Sequence, residues 1–88
     1  MWKVQKVADG DRVALRIIGR LERQQLPELQ KVLGAEIGDH DFVLDLKEVK
    51  LVDQETVAFL EGCEAGGATL RNCPPYIREW VNSVRAGN

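Results

Sequence analysis

Residues 50–60 read KLVDQETVAFL, and within them Asp53-Gln54-Glu55-Thr56 sets two carboxylates, an amide and a hydroxyl between apolar stretches. Such a corner could be chemically switched at Thr56, could hold a ligand or partner, or could only start a helix. As local structure it is well made. Asp53 is a good N-cap, able to accept from the amide of residue 55 or 56, worth about 1 kcal/mol. Glu55 in the first turn faces the positive end of the helix, worth roughly 0.3–1 kcal/mol at a surface. Capping by itself accounts for the residue types, so a purely structural corner stays open beside a functional one. Anion binding is not expected, because carboxylates already occupy the favourable field and no Gly-rich loop precedes them.

Other residues capable of chemistry are few. The single histidine, His40, sits in Gly38-Asp39-His40-Asp41. Three consecutive residues rarely aim at one ion, so a solvated loop is expected there and no metal. Cys63 and Cys73 are too few and wrongly spaced for a zinc site. Neither has a nearby base that the sequence identifies, and Cys73 before Pro74-Pro75 reads as leading into a helix. No catalytic residue and no cofactor are expected; the chain does not read as an enzyme.

The elements that position these residues follow from periodicity. Trp2 to Val7 and Arg12 to Ile18 are rich in β-formers around the turn residues Ala8-Asp9-Gly10-Asp11, which predicts a hairpin. Leu26, Leu29, Val32 and Leu33 mark a short helix with Pro27 in its first turn and Gly34 near its end. Asp41 to Leu46 predicts a strand. The Asp53 corner opens a second helix using Val57, Leu60, Phe59 and Cys63 inward, which Gly66-Gly67 breaks. Ala68 to Arg71 is a short strand. Ile77, Trp80, Val81 and Val84 mark the last helix after Pro74-Pro75. The order β-β-α-β-α-β-α predicts an α/β fold in one domain, residues 1–88: a mixed sheet of about four strands, hairpin first and parallel after it. Right-handed crossovers in one direction put the helices mainly on one face. Arg16, Asp45, Thr69 and Arg71 then line a polar second face with cross-strand ion pairs, a structural role and not an active site.

Composition narrows the class. The chain has 88 residues, 44% hydrophobic and 30% charged, which suits a small globular domain. No apolar run approaches the roughly 20 residues of a membrane span, and the N-terminus shows no secretory h-region. A cytoplasmic protein with reduced thiols is expected. The net charge of −2 hides an asymmetry: residues 1–23 carry six Lys/Arg and three Asp/Glu, whereas residues 36–64 carry nine acids against Lys47 and Lys50. Nucleic acid is not expected as a partner, since no coherent basic face is visible. If the acidic middle binds anything, a basic protein patch fits better.

Arg12 to Pro27, RVALRIIGRLERQQLP, resembles the opening of a STAS domain, the fold of bacterial anti-sigma-factor antagonists: a strand, Gly19-x-Leu21-Glu22, then a helix entered near Pro27. DLKEVKLVDQET resembles the family's central segment through Asp45, Leu46, Val49, Leu51-Val52 and Asp53. GATLRNCPPYIREWV resembles its close. The resemblance spans about residues 12–84. It implies a non-catalytic regulatory domain for partner switching: a Ser or Thr just after the aspartate is phosphorylated by a kinase that is also the anti-sigma factor, and phosphate breaks the complex. Here Gln54 and Glu55 follow Asp53, and Thr56 is out of register by one or two residues, each turning a helical side chain by roughly 100°. The usual switch is therefore absent by sequence.

The resemblance implies a partner surface at Asp53, Gln54, Glu55 and Thr56 with the Gly19 to Arg23 loop beside it, Leu21 and Arg23 being the side chains of that loop expected to take part. Glu55 supplies a permanent −1 where a phosphoserine would carry about −1.5 to −2, so a state resembling the phosphorylated one and a binder without a switch are both open. An anti-sigma or histidine-kinase-like ATPase domain is the implied partner. An ABC-transporter ATPase is the alternative, since STAS subunits also occur in lipid-transport complexes. A third possibility is a small-ligand sensor with an apolar pocket lined by Phe42, Phe59 and Trp80, although a domain this small needs those rings for its core.

Overall fold

The computed structural model describes residues 2–36 and 41–87. Gly38, Asp39 and His40, expected in a solvated loop, lie outside the described residues. The chain runs β1 (Trp2–Asp9), β2 (Arg12–Leu21), a 3-10 turn (Arg23–Gln25), α1 (Leu26–Glu36), β3 (Phe42–Val52), α2 (Gln54–Ala65), β4 (Thr69–Arg71) and α3 (Pro75–Arg85). This is the expected element order. The four strands lie in the order β1-β2-β3-β4, with β1 antiparallel to β2 and the other pairings parallel. Gly10, at φ +61°, makes the hairpin turn in a conformation that other residues adopt with difficulty.

β3 is longer than the expected strand, and its irregularity explains why. Arg16 pairs with Asp45 but Ile18 with Glu48, and Gly19 pairs with Val49 but Arg20 with Leu51. Two extra residues are thus accommodated on β3, each flipping the facing of the residues beyond it. Leu44, Leu46, Val49 and Val52 all remain buried as a result, while Lys47, Glu48, Lys50 and Leu51 are exposed. The first irregularity is held by Asp45, whose Oδ1 accepts from the Lys47 amide at 3.0 Å.

The core lies on one face of the sheet. Leu15, Ile17, Leu44, Leu46 and Leu70 pack with Leu29 of α1, Val57 and Leu60 of α2, and Ile77 and Val81 of α3. Phe42, Phe59 and Trp80 are partly buried against this cluster. Burying each large apolar side chain contributes about 1.5–3 kcal/mol. α2 and α3 are further joined by Glu64, which takes two hydrogen bonds of 2.9 Å from Arg78 and another from Arg85. The Arg78 bonds, outweighing burial, hold the Glu64 carboxyl down at about 2.

The opposite face is polar, as the strand alternation requires. The buried Asp45 accepts from Arg16 Nε at 3.4 Å and from Asn72 Nδ2 at 3.3 Å. Arg12 donates to Thr69 Oγ1 at 3.2 Å, which carries its side chain from β2 across β3 to β4. Val43, the register partner of both Ala14 and Thr69, lies under that crossing and is fully buried. Aliphatic arginine stem thus substitutes for a second helix layer.

Candidate functional site

β2 and β3 are parallel neighbours whose last residues, Leu21 and Val52, are register partners. The chain therefore leaves the sheet twice at one end, into the 22–25 turn and into α2. Between these exits lies an open cleft of about 270 Å³ lined by Glu22, Arg23, Gln24, Asp53, Gln54 and Glu55.

Asp53 is the N-cap of α2, with extended backbone at φ −115°, ψ 178°. Its Oδ1 accepts from the Thr56 amide at 2.9 Å, the cap expected from sequence. Its Oδ2 accepts from the Arg23 amide at 2.8 Å, in the other loop. Partial burial works against the ionised carboxylate, but the Arg23 and Thr56 amides outweigh it, and the Asp53 pKa falls below its ordinary value. The neighbouring turn is closed by Gln25, whose Oε1 accepts from the Glu22 amide at 2.9 Å. Across the cleft Arg23 Nη1 meets Glu55 Oε1 at 3.5 Å, with side chains 69% and 57% exposed. A pair this open contributes about 0–1 kcal/mol.

The structure brings Asp53, Gln54, Glu55 and Arg23 together around the cleft, with Gln54, Glu55 and Arg23 exposed. It removes two other residues from the expected surface. Leu21 is fully buried, because alternation along β2 turns it into the core with Leu15 and Ile17. Thr56 is also fully buried, because the third helical position of α2 faces the sheet one residue ahead of Val57. Its hydroxyl lies near the Asp53 carboxylate but makes no hydrogen bond of acceptable geometry. Glu22 belongs to the Gly19–Arg23 loop expected beside the corner, whereas Gln24, which completes the cleft, was not expected from sequence. The Glu22-x-x-Gln25 spacing, a variant of the capping box, was the available signal.

The cleft offers charged and amide side chains for polar contacts. Three carboxylates and one guanidinium line the cleft, and every hydroxyl is absent from its lining. The thiols are elsewhere: burial pushes Cys63 up to about 11 and raises Cys73 as well, so both are protonated at neutral pH. Phe42, Phe59 and Trp80 line neither this cleft nor a second one of about 240 Å³ between β1 and α1. No helix among the described residues is long and apolar enough to cross a membrane.

No protein-family model matches the chain, and no curated relative does. Among solved structures it is similar to an uncharacterized protein of the DUF3478 family with a SpoIIAA-like fold from Shewanella loihica PV-4, at 16% identity and a TM-score of 0.47, covering 98% of this chain and 78% of that one.

Proposed function

We propose that this chain is a non-catalytic protein-docking domain in a bacterial partner-switching system, acting in the cytoplasm, with Gln24, Gln54 and Glu55 as its principal contacts. Its partner is an ATPase domain of the anti-sigma or histidine-kinase-like class, the class implied by the STAS-like motifs. The observation that carries this is the polar corner itself: it is solvent-facing, pre-organised by hydrogen bonds, and offers an amide and a carboxylate where a hydroxyl acceptor would stand. Thr56 does not supply the missing acceptor, because its hydroxyl is buried beneath the first turn of α2. Binding is therefore constitutive: nothing at the corner can be switched by phosphate without unwinding that turn.

Phosphate transfer tests this. Wild type and Glu55→Ser are incubated with ATP and the anti-sigma kinase encoded beside the gene. Wild type should take up no phosphate at residues 53–56, and Glu55→Ser should gain it. Stoichiometric labelling of wild type on that tetrapeptide would end the proposal. Permease and substrate-binding genes beside this one, in place of a kinase and a sigma factor, would instead point to a transporter ATPase.

A further inference from the structure

We infer that Asp53 is a positioning residue, a latch that makes the 22–25 turn and the first turn of α2 one rigid platform. This deepens the docking proposal and takes its functional meaning from it. The two loops follow different strands, and past Leu21 and Val52 the sheet no longer pairs them. Two connections described above then span the gap. One is the Arg23–Glu55 ion pair, long and largely exposed, which cannot fix a geometry. The other is the Asp53 carboxylate, with one oxygen on each loop at 2.8 and 2.9 Å. A local cap needs only the second of these bonds.

The carboxylate is suited to this task in a way its relatives are not. Both donors are backbone amides, so both oxygens must accept. An asparagine offers one oxygen and turns an N–H toward the other amide. Charge-assisted bonds of this length are also stronger and better oriented than neutral ones. The walls of the cleft, Gln24 on one loop and Gln54 on the other, hold a fixed separation only while both bonds stand. The side chain that looks most like a binding group therefore acts chiefly through the others.

The test uses the free, isotopically labelled chain and needs no partner. Arg23→Pro removes the Arg23 amide. Glu22, at φ −122° and ψ 175°, already has the extended backbone that precedes proline, and the first position of the turn accepts it. Arg23→Ala keeps the amide and removes only the guanidinium. In Arg23→Pro the amides of Thr56 and Val57, on the other loop, should exchange with solvent about tenfold faster, with chemical-shift changes through residues 54–57. Arg23→Ala should leave both unchanged. Asp53→Asn should speed exchange at Arg23 and Thr56 together. Wild-type exchange at Thr56 and Val57 in Arg23→Pro would overturn the latch, as would an equal effect from Arg23→Ala, which would assign the coupling to the ion pair. Failure to find any docking partner would leave these exchange rates as they are, so the two proposals fail separately.

Discussion

A hydroxyl buried without a hydrogen bond costs about 1–3 kcal/mol of lost solvation, and Thr56 carries one directly under the corner. Replacing it with the isosteric Thr56→Val keeps both branches and removes the polar atom. Stability against denaturant should rise by up to about 1 kcal/mol. A loss larger than that would mean the hydroxyl bonds the Asp53 carboxylate in solution. Thr56→Ser, which keeps the hydroxyl but deletes a buried methyl, should be destabilising by about 1 kcal/mol. At this scale the sequence was informative about caps and poor about facing. Asp53 could be placed as the N-cap because capping depends on a few adjacent residues. Leu21 continues the alternation of Leu15 and Ile17 and was missed only because the expected strand ends at Ile18, three residues short. That Thr56 points inward depends on how α2 approaches the core, which a cap motif does not contain.

The elements differ in how plainly they were written. α3 was clear because Ile77 and Val81 define an inward stripe against polar neighbours. The second half of β3 was hidden, because its irregularities space the buried residues Leu46, Val49 and Val52 by three, a period that belongs to no strand. α2 contains Gly62 in its interior with open space around the position a Cβ would take. Gly62→Ala should therefore stabilise the chain by about 1 kcal/mol, readable as a rise in melting temperature. The α2–α3 clamp has a pH signature. Glu64 is held from the ordinary 4.5 down to about 2 by Arg78 and Arg85. A depressed folded-state pKa means the clamp contributes fully above about pH 4.5, and its contribution is lost as pH falls toward about 2. Glu64→Gln should be less stable than wild type at pH 7. The difference should shrink through that acid window; a difference constant from pH 7 to 2 would contradict the clamp.

For the whole molecule, the sheet topology divides the labour. Helices cover one face, arginine stems seal the other, and the C-terminal ends of the parallel strands present the corner. The order of elements was legible because each strand and helix carried its own period. The cleft was legible only through the resemblance, which set the Gly19–Arg23 loop beside the Asp53 corner; periodicity alone does not contain a contact between residues 30 positions apart, and Gln24 was missed. If the corner is the docking surface, changing its exposed side chains must cost binding without costing folding. The decisive measurement is a pull-down from the native host with wild type, Glu55→Arg at the corner and Glu79→Arg on the exposed side of α3, all shown to melt alike. The account predicts that Glu55→Arg loses an ATPase partner that wild type and Glu79→Arg both retain. An identical set of partners for all three proteins would contradict it, leaving the corner as a well-capped helix start.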